Sequence, residues 1–141
     1  MKITVPLRII VEKPLPGVAM MVQRGRDELL APAVADQKKL RFEFEIDVDI
    51  PDAGLNFLGK YSQGPRNARF VYVNSGTYAD EHHIGWGRRA KLSLMTITRG
   101  QVEKVMGAGN LLLETTIPGA AKDGGPICAS VKGIEWKVVK K

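Results

Sequence analysis

The side chains best suited to binding or catalysis lie close together between residues 78 and 89. Guanidinium groups bind carboxylates and phosphates through paired hydrogen bonds, and aromatic rings stack on planar ligands. We therefore expect a ligand-binding rim formed by Arg88, Trp86, Tyr78, His82 and His83. The alternative is a solvated surface loop whose basic residues contact no ligand.

The same residues allow a second interpretation, in which the protein is a small enzyme. His82 or His83 would be the general base, and an arginine would orient the substrate. The catalytic residues stay unknown, since no Ser/His/Asp or paired-acid motif occurs. Cys128 would be a nucleophile only beside such a base. Its alternating surroundings predict a buried, inert thiol instead.

No metal ion or cofactor is expected. His82 and His83 are neighbours, so in an extended chain their side chains point to opposite sides and chelate poorly. The acids at positions 43, 45, 47 and 49 share one strand face, but successive ones lie about 6.6 Å apart, too far for one tight cation site. Asp123-Gly124-Gly125-Pro126 predicts a turn rather than a phosphate loop, because no Lys-Ser/Thr pair follows.

Alternation of apolar and polar residues predicts the strands that position these groups. It is unbroken over residues 40–50 and clear over residues 3–11, where Pro6 favours an edge strand or a bulge. Further strands are predicted at 18–23, 69–73, 88–94, 111–117, 127–131 and 134–139. The last two are predicted to form a terminal hairpin, and strands 69–73 and 88–94 to pair as a wide one. Residues 28–39 are predicted to be a loop that holds one strand-like piece at 29–34, and a short strand-like piece is also recognisable at 55–58. Residues 59–67 and 74–87 are predicted to be loops.

One helix is predicted near residues 99–107. Thr98 and Gln101 form a capping-box pattern, with Ile97 and Val102 at the staple positions, and a glycine at 107 or 109 should end the helix in the left-handed conformation. About eight strands with one late helix predict a mainly β fold. We expect an antiparallel β-sandwich or a partly open barrel with the helix covering one end. Parallel pairing is not expected, since it needs crossover connections.

Composition predicts one small domain over residues 1–141, located in the cytoplasm. The chain is 44% hydrophobic and 26% charged, which is typical of a globular domain. Its one cysteine excludes an internal disulfide and favours a reducing compartment. The alternating N-terminus argues against a secretory signal. A membrane span is not expected either, because the sequence contains no uninterrupted apolar run of about 18 residues.

The net charge of +6 is unevenly distributed along the chain. Residues 41–52 hold five acids and one base, whereas the remainder holds 20 bases and 10 acids. We expect the acidic strand to lie beside a basic strand of the same sheet. A polyanionic partner is the alternative. Specific nucleic-acid binding is not expected, because aromatic residues make up only 6% of the chain and no basic-aromatic RNA-binding motif is recognisable; any affinity should be weak and salt-sensitive.

Several short segments form a recognisable series along the chain. They are Leu7-Arg8-Ile9, Gln23-Arg24-Gly25-Arg26, Phe42 to Phe44, Phe57-Leu58-Gly59, Gln63-Gly64-Pro65, Arg69-Phe70-Val71-Tyr72-Val73, Arg88-Arg89-Ala90-Lys91 and Asp123-Gly124-Gly125-Pro126-Ile127-Cys128-Ala129-Ser130-Val131. In that order they resemble a family of small bacterial proteins catalogued only as a domain of unknown function. The resemblance implies a stand-alone bacterial domain of about this length and brings no known activity with it.

The leading hypothesis is therefore a non-enzymatic binding module for a small anionic or aromatic ligand, with self-association as a further alternative. Arg88 and Arg89 should divide their roles, because adjacent strand residues point to opposite faces. Arg88 shares the parity of the apolar Ala90 and should reach over the core opening. Arg89 shares the parity of Lys91 and should pair with acids of a neighbouring strand.

Overall fold

Eleven strands and one helix make up the part of the chain that the computed structural model describes. That part is residues 2–15, 17–24, 28–34, 39–49, 70–80, 83–84, 88–94, 96–120, 124–125, 129–130 and 134–141. The elements are β1 Lys2–Glu12, β2 Ala19–Arg24, β3 Glu28–Val34, β4 Lys39–Asp49, β5 Phe70–Gly76, β6 Tyr78–Asp80, β7 His83–Ile84, β8 Arg88–Ser93, α1 Arg99–Gly107, β9 Leu111–Pro118, β10 Ala129–Ser130 and β11 Lys137–Lys140.

Nine of these strands form two sheets. Sheet A has the order β11-β9-β1-β4 and sheet B the order β10-β8-β5-β2-β3, while β6 and β7 form a separate two-stranded ribbon. The fold is mainly β with a sandwich-like arrangement of two sheets, as the sequence predicts. Among the described residues, no helix has the length and apolarity needed to cross a membrane.

A single hydrophobic cluster occupies the space between the two sheets. Its largest fully buried side chains come from both of them, together with the segment that leads into α1: Leu7, Ile9, Met20, Ile46, Leu92, Leu94, Ile97, Leu113 and Ile117. Alternate residues of a strand point to opposite faces, so the apolar sets of the two long strands face the cluster: Val5, Leu7, Ile9 and Val11 of β1 and Phe42, Phe44 and Ile46 of β4. The alternating pattern in the sequence is the direct cause of this arrangement.

Two pairs of neighbouring strands are parallel, contrary to the sequence-based expectation. β9 runs parallel to β1, and β10 runs parallel to β8. Between the two strands of each pair the chain passes through α1 and through strands of the other sheet, and these elements together form the crossover. The expected terminal hairpin is wrong for the same reason: β10 lies in sheet B, whereas β11 pairs with β9 in sheet A.

Pro6 lies in β1, an interior strand of sheet A, and not in an edge strand as the sequence suggests. β1 pairs with β4 along its whole length, and Pro6 opposes Glu45 there. Pairing with β9 on the other side begins only at Leu7. At Pro6 the strand therefore has one hydrogen-bonded neighbour, which is the local condition of an edge.

Helix α1 begins as predicted and ends differently. The Thr98 side chain accepts a hydrogen bond from the Gln101 backbone, and the Gln101 side chain accepts one from the Thr98 backbone, which completes the capping box. Val102 and Val105 are buried. The helix ends at Ala108 in the extended conformation, with φ −128°. The predicted left-handed glycine is therefore wrong, since the Ala108 N–H bonds to the Val105 carbonyl and the chain proceeds directly towards β9.

Candidate functional site

Strands β5 and β8 form the predicted wide hairpin, which places Ser75 opposite Arg88. Directly opposed residues of an antiparallel pair have Cβ atoms about 4.5–5.5 Å apart. Val71 and Val73 share the parity of Ser75 and belong to the buried cluster. Arg88 therefore lies on the core-facing side at one end of sheet B, as its parity predicts.

The Ser75 hydroxyl is buried without a hydrogen-bond partner. The residue is 2% exposed, and its Oγ makes no hydrogen bond within the structure described. Buried polar groups in folded proteins are nearly always paired, and an unpaired one costs about 1–3 kcal/mol. Ser75 thus presents an unused donor and acceptor beside Arg88. The sequence carries a signal for it, namely a polar residue on the apolar parity of β5, which we did not single out.

Gly125 packs directly against the guanidinium of Arg88. A Cβ built on Gly125 would lie 2.9 Å from Arg88 Nη1 and 3.0 Å from its Cζ. The parallel register of β10 with β8 fits this contact, since Ala129 opposes Ala90 and both Gly125 and Arg88 precede that pair in their chain direction. Gly124 has a φ of +83°, which fits the predicted turn. We call Ser75, Arg88 and Gly125 the rim site.

The β6–β7 ribbon carries two of the other predicted binding residues. It follows β5, packs against β2, β3 and β5, and pairs Tyr78 with Ile84 and Asp80 with His83. Tyr78 is 48% exposed, and His83 is exposed as well. Both lie between Ser75 and Arg88 along the chain, so the ribbon belongs to the same end of sheet B. The predicted loop over 74–87 is therefore partly strand.

Several predicted features lie outside the described residues. These are His82, Trp86, Cys128, and the predicted strand and loop at 55–58 and 59–67. Nothing in the described part of the chain groups three or more potential metal ligands.

The outer face of sheet B carries a row of cations and aromatic rings that the sequence analysis missed. Arg89 Cζ lies 4.7 Å from the centre of the Tyr72 ring, and Lys91 Nζ lies 3.9 Å from that of Phe70. Both contacts are diagonal across the β5–β8 pair, whose register opposes Tyr72 to Lys91. The alternation of both strands places the two rings on one face of β5 and the two cations on one face of β8. Which cation contacts which ring depends on the register between the strands.

Arg89 is held in place by two amide side chains. Its Nε donates to Asn74 Oδ1 at 3.0 Å, and Asn74 Nδ2 donates to Gln23 Oε1. The network crosses β8, β5 and β2 in turn. The expected pairing of Arg89 with an acid is therefore wrong, because the residues beside it are an amide and an aromatic ring. We call Gln23, Phe70, Tyr72, Asn74, Arg89 and Lys91 the cation–aromatic face.

The acidic strand β4 pairs part of its charge within sheet A, as expected. Arg8 of β1 lies between two carboxylates, with its Nε 2.9 Å from Glu43 Oε1 and its Nη1 2.7 Å from Glu114 Oε2. Asp47 accepts a hydrogen bond from the Thr4 hydroxyl. Glu43 and Asp47 of β4 are thus partners of β1 side chains.

A groove beside the N-terminus of α1 is structural. It is lined by Thr98, Gln101, Trp136 and their neighbours. The capping box uses the Thr98 hydroxyl, while the Gln101 amide donates to the Trp136 carbonyl. The Trp136 indole donates to the Ser93 carbonyl at 3.0 Å. These side chains are committed to joining α1, β8 and the segment before β11.

Comparisons with known proteins give a family without a function. The model of DUF5990, described as a family of unknown function, matches residues 5–139. No curated protein matches the chain, and neither does any solved structure.

Proposed function

The chain belongs to DUF5990, a family of unknown function, and since membership brings no activity with it, we propose from the rim site that the protein is a non-enzymatic binding module for a small anionic ligand. The ligand carries a carboxylate or phosphate group that Arg88 binds and Ser75 hydrogen-bonds. We also propose a bacterial origin and a cytoplasmic location, which the family resemblance and the single cysteine support.

The observation that carries this proposal is the unpaired, buried hydroxyl of Ser75. A serine that only filled space in the core could be an alanine, and the structure would then avoid the cost of an unsatisfied hydroxyl. Ser75 lies directly opposite the arginine at the end of the sheet. We propose that a ligand oxygen bound by Arg88 displaces the packing over this hydroxyl and pairs with it.

Arg88 supplies the charge, and Gly125 supports its placement. A guanidinium offers a planar fork of donors that matches carboxylate and phosphate oxygens. Any residue larger than glycine at position 125 would clash with the guanidinium in this position. Tyr78 adds an exposed ring at the same end of the sheet, which suits a ligand with a planar part.

Thermal melting with inorganic phosphate, sulfate and citrate tests the proposal. An anion present at 100 times its Kd stabilises a protein by about 2.7 kcal/mol, or about 5–10 °C in Tm for a chain of this size. Arg88→Ala should abolish the shift. Ser75→Ala should melt no lower than wild type without anion, because it removes an unsatisfied hydroxyl, and yet should show a smaller shift with anion.

Arg89→Ala is the matched control, since it removes the same charge from the next residue on the opposite face. Its Tm should rise on addition of anion by as much as that of the wild type. Equal shifts in wild type and Arg88→Ala, or no shift with any of the anions, would contradict the proposal.

A further inference from the structure

The cation–aromatic face of sheet B has no role in binding a small ligand at the rim site, because it points away from the core. Its two cations project from β8 at alternate positions, each over an aromatic ring of β5. From this geometry we infer that the face binds single-stranded nucleic acid with little sequence preference.

Charge complementarity identifies a polyanion as the occupant. Sheet A carries six acids and six bases in its strands, whereas the three central strands of sheet B carry cations alone. Arg89 and Lys91 make no ion pair within the described residues. Their positions are about 6.6 Å apart along the strand, which is comparable to the spacing of successive phosphates in an extended strand.

The rings indicate a single strand rather than a duplex. Proteins bind single strands without sequence preference by combining cations for the backbone with planar groups on which bases stack, and guanidinium planes serve as well as aromatic rings. Arg89 is exposed and lies on the Tyr72 ring, so its outer side offers a charged, planar platform. A duplex keeps its base faces stacked inside and cannot use such a platform.

The amide network accounts for the lack of sequence preference. Gln23 and Asn74 are the neutral side chains of this face best able to read base edges, but they bond to each other and to Arg89. That bonding fixes the arginine before binding, which lowers the cost of ordering it in the complex. Recognition is therefore left to charge and stacking.

The test uses fluorescence anisotropy of labelled oligo-dT and oligo-rU and of a duplex, at several salt concentrations. Each phosphate contact with a single strand contributes about 0.7 to the slope of log affinity against log salt. Arg89→Ala/Lys91→Ala should therefore reduce the slope by about 1.4. Arg99→Ala/Lys104→Ala, the same charge change on exposed positions of α1, should leave the slope unchanged.

Arg89→Lys separates stacking from charge, because it keeps the cation and removes the planar platform on Tyr72. It should weaken binding about 5- to 150-fold, the range found for loss of one stacking contact, without changing the salt slope. Melting curves establish that each variant is folded. Arg88→Ala should bind oligo-dT with the salt slope of wild type, which makes this result independent of the rim site.

Three outcomes overturn the inference. Equal slopes for the two double variants show that only net charge matters. Equal or tighter binding of duplex shows that no platform is used. A salt-sensitive oligomer seen in sedimentation, absent from Arg89→Ala/Lys91→Ala and accompanied by no oligonucleotide binding, assigns the face to contact with the acidic strand β4 of a second copy.

Discussion

Arg8 shows how one side chain joins three strands of sheet A. It projects from β1 towards Glu43 of β4 and Glu114 of β9, and its side chain is only 8% exposed. The hydrogen bond to Glu114 contributes most to raising the pKa of Arg8, and burial opposes it in part. A raised pKa means that the arginine's contribution to stability is present at every pH below its ordinary value and is lost only in strong alkali.

Arg8→Met should lower the free energy of unfolding by about 1–3 kcal/mol, because two carboxylates lose the donor they share. The loss should be the same at pH 7 and pH 9, since the arginine stays charged at both. Urea denaturation at the two pH values measures it. Arg99→Met is the control: Arg99 pairs with Glu103 on the exposed side of α1, and its loss should cost less than about 0.5 kcal/mol. Similar costs for the two variants would contradict the prediction.

At the scale of single residues, the sequence predicts faces better than partners. Alternation places Arg88 and Arg89 on opposite faces of β8, and the structure has them there. It does not predict that Arg89 contacts Asn74 and Tyr72, because the identity of a cross-strand neighbour depends on the register of two strands. Ser75 was missed for the same reason: its importance follows from the arginine opposite it.

At the scale of elements, Gly119 connects the ends of β1 and β9. Its N–H donates to the Glu12 carbonyl at 2.7 Å, and a Cβ at this position would lie 2.6 Å from the Pro14 Cα. The backbone of the turn after β1 therefore crosses the end of β9 at a distance that only glycine permits.

Gly119→Ala should destabilise the protein by about 1–3 kcal/mol, because the methyl group meets backbone atoms that cannot rotate away. Gly100→Ala is the control. Gly100 lies in the first turn of α1 with nothing within 4 Å of an added Cβ, so alanine should be neutral or stabilise by up to about 1 kcal/mol. In thermal melts the Tm of Gly119→Ala should fall clearly, while that of Gly100→Ala should stay unchanged or rise. Equal destabilisation of the two variants would be inconsistent with the close approach at Gly119.

The strands with long alternating patterns were predicted to within a residue or two, as β1 and β4 show. The arrangement of the short C-terminal strands could not be predicted in the same way. β10 and β11 are close in sequence, which favours a hairpin, but each has a better partner in a different sheet. Local pattern identifies a strand, whereas its neighbour is decided by the packing of the whole sandwich.

At the scale of the whole molecule, Trp136 holds the helix and the two sheets together. It is 3% exposed within the hydrophobic cluster. Its indole bonds to the end of β8 in sheet B, and its carbonyl bonds to α1. β11 of sheet A begins at the next residue.

Trp136→Phe should lower the free energy of unfolding by about 1–3 kcal/mol, since the Ser93 carbonyl loses the indole donor and the smaller ring leaves space behind. Urea unfolding followed by circular dichroism measures the change. Because no element is expected to unfold separately, the slope of the transition against urea should stay that of wild type. A variant with wild-type stability would show that the hydrogen bond does not hold these elements together.

The parallel pairing of β1 with β9 bears on how the chain is made. Arg8 and Glu114, which bond across that pair, are 106 residues apart. At about 5–20 residues per second, a ribosome needs on the order of 5–20 s to produce the second partner after the first. During that interval β1 can pair with β4 on one side, while its other side exposes backbone groups of the kind that recruit foreign strands. That edge of β1 therefore stays uncovered in the nascent chain until β9 emerges and completes the sheet.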